Sequence, residues 1–159
     1  MTDPVAVARS ICLSQLDHAP RTRSQLATTL RKRLVPDDAA ATALDRLTEV
    51  GLVDDAAYAA GWVRSRRSSR GLSGSAVARE LRDRGIEPHL IAAAVAEVGP
   101  EEDEASAREL ARRRMRSMSG LPVQVRVRRL VGYLGRKGYP PGLAYRVVRE
   151  ELDLAVEEH

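Results

Sequence analysis

The residue types that the sequence lacks limit what it can build. Its 159 residues include no Phe and no Asn, one Cys, and only 3% aromatic residues. A core must therefore consist of Leu, Val, Ile and Ala, which suits closely packed helices, because Ala loses no side-chain entropy in a helix. The single cysteine, Cys12, cannot form an internal disulfide, and its apolar neighbours predict a buried thiol.

Long apolar runs and metal-ligand spacings are also missing. No run of about 18 apolar residues and no charged-then-apolar leader occurs, so we expect no membrane span, no signal peptide and a cytoplasmic location. His18, His89 and His159 have no second His or Cys at ligand spacing, which predicts no metal site. Neither of the phosphate-binding glycine motifs occurs. We therefore expect no cofactor.

The chain contains a diverged threefold repeat. Residues 24–47, 75–98 and 128–151 align without gaps at offsets of 51 and 53. Apolar residues four apart in the first half of each segment predict one buried helix face, followed by a turn and a second helix. The equivalent columns hold Leu26, Val77 and Leu130; Leu30, Leu81 and Leu134; Arg33, Arg84 and Lys137; Val35, Ile86 and Tyr139; and Leu44, Val95 and Val148.

Glycine and proline mark the turn of the second and third segments. Gly85 and Gly138 follow a basic last turn, where a left-handed residue commonly ends a helix, and Pro88 and Pro141 predict the start of the next helix. Leu34 occupies the glycine position of the first segment, so we expect that turn to be built differently. The second helix of the middle segment has an apolar stripe of Leu90, Ile91, Ala94, Val95 and Val98.

A further helix precedes each helix pair, which predicts an all-α chain of three tandem three-helix repeats. A repeat of about 50 residues buries little surface alone, so we expect neighbours to share cores in an elongated array. The additional helices fall at residues 4–17, 54–68 and 101–118, with Ile11, Trp62 and Met115 in one column. The predicted boundaries of the repeats are 1–53, 54–99 and 100–159.

Paired acidic residues are the best candidates for catalytic chemistry. Asp54-Asp55 and Asp37-Asp38 both lack the neighbouring partners that acid–base or metal chemistry requires, and each precedes a predicted helix. We interpret both pairs as helix caps, each contributing about 1 kcal/mol. The serines around residues 65–75 have no adjacent base to activate them. We therefore predict no catalytic residue and no enzymatic activity.

Arginine is the most informative residue type. Of the 26 basic residues, only Lys32 and Lys137 are lysines. Genomic base composition would explain this bias without a function, and complementarity to helix dipoles would explain part of its pattern. A functional basic surface remains the favoured interpretation, because Arg108, Arg112 and Arg116 recur four apart and would form one stripe along a helix. Its candidate contact residues are Arg64, Arg66, Arg67, Arg70, Arg108, Arg112, Arg116, Arg126, Arg129, Arg136 and Lys137.

The middle repeat contains GLVDDAAYAAGWVRSRR, a glycine-containing loop, AVARELRDRGI and a helix ending AAAVAEV, and the third repeat contains RRLVGYLGRKGY. These motifs resemble the RecX family, the regulators of the bacterial RecA recombinase, and the resemblance extends over residues 5–152. Positions that recur in the family are matched by Asp54, Asp55, Tyr58, Trp62, Glu80, Leu81 and Gly85, and we interpret most of them as structural.

The resemblance implies a curved helical rod of three units related to winged-helix modules. It also implies a protein without catalytic activity that binds the RecA filament on DNA and suppresses ATP hydrolysis and strand exchange. We expect this protein to be a monomer. Such a protein modulates recombination and repair in the SOS response. DNA would be contacted, if at all, without sequence preference.

Two other hypotheses remain open. A sequence-specific DNA-binding regulator would also use three-helix units with tight turns. The helix LIAAAVAEV is nearly all apolar, Asn is absent and Gln is scarce, so few side chains could read bases. The third hypothesis is a helical adaptor that makes no nucleic-acid contact.

Overall fold

A computed structural model of the chain describes residues 3–157, and within that range all regular structure is helical. The helices are α1 Pro4–His18, α2 Arg23–Lys32, α3 Asp37–Glu49, α4 Asp55–Arg70, α5 Gly74–Asp83, α6 Pro88–Val95, α7 Pro100–Met115, α8 Val123–Arg136 and α9 Pro141–Glu157. None of these helices is long and apolar enough to cross a membrane. His159 lies outside the described residues.

The helices confirm the all-α prediction and its grouping in threes. The predicted pairs correspond to α2 with α3, α5 with α6, and α8 with α9, each preceded by one of the predicted additional helices. Two boundaries were placed too late: α6 ends at Val95, so Val98 lies beyond it, and α7 ends at Met115. Met118 follows a turn and is buried in the core.

The backbone divides into two compact units. The first compact unit runs to Trp62 and includes Glu80–Ala94, and the second comprises Val63–Arg79 with the chain from Val95 onward. The middle repeat contributes residues to both units. The boundaries 1–53, 54–99 and 100–159 therefore stay a prediction about the sequence repeat.

The core of the first compact unit is made of small and aliphatic side chains from α1, α2 and α3. Leu26 and Leu30, the predicted buried pair of α2, are fully buried and pack with Leu44 of α3. Ala8 of α1 is also fully buried, so α1 can approach its neighbours closely. Cys12 is buried beside it, as predicted, and burial raises the pKa of its thiol.

The core of the second compact unit follows the same rule. Leu130 and Leu134 of α8 are fully buried, and Val148 of α9 packs with them. On α7 the buried positions are Ala107 and Ala111, one turn apart, and their small side chains let the other two helices pack against the α7 backbone. Met118 and Tyr139 are also buried here, so the prediction of a core made of Leu, Val, Ile and Ala alone was wrong.

All three helix-to-helix turns use a left-handed residue. Gly85 and Gly138 have φ of 79° and 96°, and Leu34 has φ of 63°. After each of them, the next N–H donates to a carbonyl five residues earlier, at 3.0 Å for Val35, 3.2 Å for Ile86 and 3.1 Å for Tyr139. The expectation that the Leu34 turn is built differently was wrong. The same hydrogen bonding imposes the same backbone whichever residue occupies the turn.

At each of the two glycine turns, a backbone carbonyl accepts a hydrogen bond from a hydroxyl at the start of a helix in the preceding repeat. Thr22, the N-cap of α2, donates to the carbonyl of Arg84 at 2.9 Å. Ser73, at the start of α5, donates to the carbonyl of Gly138, also at 2.9 Å. Both hydroxyls also accept an N–H from the first turn of their own helix. Each hydroxyl therefore caps a helix and docks a turn.

Close approach at these contacts requires glycine independently of the left-handed backbone. A Cβ on Gly85 would lie 2.2 Å from the Ser24 hydroxyl oxygen, and one on Gly138 would lie 2.5 Å from the Cβ of Ala76. At the equivalent position of the first repeat, the Leu34 side chain is 88% exposed. The first turn tolerates a side chain because no part of the described chain packs on it.

The Asp54-Asp55 pair is structural. Asp54 accepts the N–H of Ala57 at 3.0 Å, which confirms the predicted cap of α4. Asp55 instead accepts the N–H of Arg23 at 2.9 Å and ties the start of α4 to the start of α2. The sequence did not indicate this second contact, because its partners are far apart along the chain.

The Asp37-Asp38 pair was predicted wrongly as a cap. Pro36 occupies the N-cap position of α3 and offers no side-chain hydrogen bond. Both aspartates lie in the first turn of the helix, and Asp38 accepts the N–H of Ala39 at 2.9 Å. Their charges still interact favourably with the dipole at this end of the helix.

Candidate functional site

Arg67 belongs to the interior of the second compact unit. Its guanidinium lies 2.8 Å from the carboxylate of Asp103 in α7 and donates to the carbonyl of Leu72 at 3.0 Å. Both charged side chains are mostly buried. The same Asp103 carboxylate accepts the N–H of Gly74 at 3.2 Å. Arg67 therefore holds the end of α4 and the start of α5 against α7.

Arg108 and Arg112 of α7 form a network with α9. The Arg112 guanidinium lies 2.7 Å from the carboxylate of Glu151, which is 4% exposed, and Arg108 lies 3.2 Å from it. Arg108 also pairs with Glu150, and its hydrogen bond lowers the pKa of that carboxyl. The pairing in turn raises the pKa of Arg108. These two arginines have a structural role, fastening α9 onto α7.

Aromatic residues of the middle repeat form a separate cluster in the first compact unit. Tyr58 and Trp62 stack with ring centroids 5.7 Å apart, and the Arg84 guanidinium lies 3.8 Å from the Trp62 centroid. Arg84 also donates to the Tyr58 hydroxyl at 3.2 Å, and the Trp62 indole donates to Glu80 at 3.1 Å. Both rings are half-buried. These contacts support the structural interpretation of this motif.

A cationic cavity lies between the end of α7 and the exposed face of α8. Its volume is about 270 Å³, and its walls include Arg114, Arg128, Arg129 and Arg136, with no acidic residue among them. Tyr133 forms part of the wall, and the Arg114 guanidinium lies 4.9 Å from its ring centroid. The composition of this cavity is complementary to anions, because guanidinium groups offer forked donors to phosphate and carboxylate oxygens.

A second cavity, of about 510 Å³, shares Tyr133 with the first. Arg70, Arg113 and Lys137 contribute to its walls, with the hydroxyl-bearing Ser68 and Ser69. Lys137 places its ammonium 5.7 Å from the Tyr133 centroid, whereas Arg113 is neutralised by Glu109 at 2.6 Å. We use the term Tyr133 surface for Tyr133 with the cations of both cavities other than Arg67 and Arg113, namely Arg70, Arg114, Arg128, Arg129, Arg136 and Lys137.

The structure divides the predicted contact residues into three groups. Those brought together on the Tyr133 surface are Arg70, Arg129, Arg136 and Lys137. Those held in internal ion pairs are Arg67, Arg108 and Arg112. Those that line neither cavity are Arg64 and Arg116, which are exposed, and Arg66 and Arg126, which are half-buried.

Sequence reasoning missed Arg114 and Arg128. Arg128 lies eight residues before the predicted Arg136 in α8 and shares its face, so the sequence already contained a signal for it. Arg114 lies off the stripe of Arg108 and Arg112, and only the chain reversal after α7 brings it to Tyr133. The arginines that line the Tyr133 surface therefore differ from those that helical spacing suggested.

Charge is distributed unevenly between the compact units. The net charge of the chain is +4, yet acidic residues outnumber basic ones in the first compact unit. The positive excess therefore lies entirely in the second compact unit, which contains the Tyr133 surface. Over residues 3–157, no cluster of three His, Cys, Asp or Glu side chains could hold a metal ion.

Comparison with known proteins gives matches along most of the chain. Family models match residues 8–47 as the first three-helix domain of RecX, residues 54–95 as the second and residues 101–148 as the third. The regulatory protein RecX of Thermobifida fusca is 53% identical over 151 residues, covering 95% of this chain and 82% of the relative. That of Streptomyces coelicolor is 51% identical, covering 95% and 80%.

Two solved structures share the fold. A crystal structure of a regulatory protein RecX has a TM-score of 0.77 at 27% identity, covering 93% of this chain and 72% of that one. The crystal structure of RecX from Lactobacillus salivarius has a TM-score of 0.83 at 19% identity, covering 97% and 99%. The second comparison, at this identity, concerns the fold alone.

These observations define an all-helical protein built from three-helix units, with an arginine-rich surface on α8. The chain belongs to the RecX family of regulatory proteins.

Proposed function

We propose that this protein regulates the RecA recombinase by binding the RecA filament on DNA and inhibiting its ATPase and strand-exchange activities. Through that inhibition it modulates recombination and repair in the SOS response. Family membership supports the regulatory role. The binding mode is proposed on the Tyr133 surface, where six cations line two cavities that share Tyr133 in the positively charged compact unit.

The chemistry of this surface suits the anionic groups of a nucleoprotein filament. Such a filament presents DNA phosphates and acidic side chains close together, and arginine binds both through paired N–H donors. Most cations that line the cavities are exposed to solvent, which suits an extended polyanion better than a small substrate. Binding here would hold neighbouring subunits in place, and so oppose the movements that hydrolysis requires.

The remaining predicted residues have different weights in this proposal. Arg64, Arg66, Arg116 and Arg126 stay candidate contacts outside the Tyr133 surface. Arg67, Arg108 and Arg112 pair with carboxylates of this chain, so we propose that they stabilise the fold and do not contact the filament.

Removing charge from the Tyr133 surface tests the proposal. We expect the triple variant Arg128→Gln, Arg129→Gln, Arg136→Gln to bind RecA filaments on single-stranded DNA at least about tenfold more weakly, since lost charge-assisted hydrogen bonds contribute about 1.5 kcal/mol or more together. Fluorescence anisotropy of labelled filaments measures the affinity. Arg9→Gln with Arg46→Gln removes exposed charge from the first compact unit and serves as the control. Equal affinity of the triple variant and the parent would contradict the assignment.

The same assay on bare duplexes distinguishes the other hypotheses. Contacts to phosphates alone predict affinity that is independent of sequence and falls steeply with salt. Strong preference for one duplex sequence would favour a sequence-specific regulator. Filament binding without any salt-dependent DNA binding would favour contacts to protein carboxylates.

A further inference from the structure

The turn between α2 and α3 presents an apolar side chain on a strained backbone. Leu34 is 88% exposed and has φ of 63°, a region that leucine rarely adopts. Glycine adopts this conformation with much less strain. The hydrogen bonding of the turn maintains this strain, and residues held in such conformations cluster at functional sites.

The equivalent turns show what normally covers this surface. At Gly85 and Gly138, a threonine or serine hydroxyl at the start of the preceding helix pair bonds to the turn, and side chains of that helix start leave no room for a Cβ. Within the described residues, nothing covers the Leu34 turn in this way. The turn is therefore covered in the second and third repeats but uncovered in the first, where it carries a large apolar side chain.

The charges around Leu34 indicate the chemistry of its partner. Arg31, Lys32 and Arg33 precede it at the end of α2, and all three are exposed. Arg31 lies 3.9 Å from the carboxylate of Asp37, whereas Lys32 and Arg33 form no ion pair within the described part of the chain. An apolar side chain next to unpaired cations is complementary to an apolar recess bordered by carboxylates. Bare DNA phosphates would give the leucine no apolar contact.

We propose that Leu34 is the apolar anchor of a protein-docking surface, with Lys32 and Arg33 as its cationic rim, and that its partner is an acidic protein surface containing an apolar recess. This inference rests on the proposed function, because it assigns that partner surface to the protein component of the RecA filament. It adds a contact on the first compact unit, which the Tyr133 surface does not include.

Replacing Leu34 by glycine separates an interaction role from a folding role. Leu34→Gly relieves the left-handed strain, so its thermal midpoint should equal or exceed that of the parent. Its affinity for RecA filaments on single-stranded DNA should fall about tenfold, as expected for loss of a buried anchor. Leu34→Met retains an apolar side chain and should bind close to the parent. Val50→Ala, at another exposed apolar position of the same unit, is the control and should not change the affinity.

Each other result overturns the inference in a recognisable way. A folded Leu34→Gly variant that binds filaments like the parent would contradict the anchor and leave the proposed function intact. A parent chain that does not bind filaments would contradict both. If Leu34→Gly instead self-associates in size-exclusion chromatography with light scattering, Leu34 acts by excluding a second copy of the chain, and the docking assignment is wrong.

Discussion

At the scale of single residues, glycine is informative for a reason that the sequence shows only in part. The position of Gly85 and Gly138 after a basic helix end predicted left-handed turns, and their φ values confirm this. The sequence could not reveal that a neighbouring helix start excludes a Cβ at both sites, since that depends on how helix pairs pack. For the same reason, we expected Leu34 to change the geometry of its turn. The turn has the same geometry as the other two, and Leu34 is tolerated because nothing in the described chain covers it.

Replacing Gly138 by alanine should therefore destabilise the protein strongly. The new Cβ would lie 2.5 Å from the Cβ of Ala76, on a backbone with φ of 96°. Left-handed strain and overpacking together predict a loss of about 2–4 kcal/mol in the free energy of unfolding, measured by urea denaturation. Gly142→Ala is the control, since nothing lies within 4 Å of its Cβ position. A loss below about 1 kcal/mol in Gly138→Ala would show that the close approach can relax.

At the scale of helices, the sequence predicted the elements well and the charged contacts between them poorly. Periodic leucines and terminal prolines placed the helix pairs because both signals are local. The ion pairs of Arg108 and Arg112 with Glu151 join residues about forty positions apart. Helical spacing alone presented those arginines as a free basic stripe, and only packing of α7 against α9 revealed their partners.

The contact between Arg108 and Glu150 should make the protein sensitive to acid. The Arg108 guanidinium lowers the pKa of Glu150 from its usual 4.5, so the folded state binds this proton less readily than the unfolded chain. The resulting stabilisation is present above about pH 4.5 and is lost as the pH falls through the lowered pKa. Glu150→Gln should lower the free energy of unfolding at pH 7 and change it little at pH 2, as measured by urea denaturation.

Glu109→Gln provides the comparison for that experiment, because Glu109 pairs with Arg113 on the exposed side of the same helix. Its effect should be small at both pH values, as for most surface ion pairs. An equal loss of stability for Glu150→Gln at pH 7 and pH 2 would contradict the electrostatic explanation.

At the scale of the whole molecule, the repeat and the net charge were readable from the sequence, but the location of the charge was not. Three aligned segments predicted an all-α chain of three-helix units, which the helices confirm. The excess charge resides in the second compact unit, where folding gathers Arg114, Arg128 and Lys137 around Tyr133. Predicting that arrangement requires knowing which arginines are neutralised internally.

The rate of ATP hydrolysis by RecA on single-stranded DNA, measured while this protein is titrated in, tests the central claim most directly. We predict that the steady-state rate falls progressively at fewer than one chain per RecA subunit. The triple variant Arg128→Gln, Arg129→Gln, Arg136→Gln should require a higher concentration for the same inhibition. An unchanged rate of hydrolysis with the parent protein at equal concentrations of chain and RecA would contradict the proposed function.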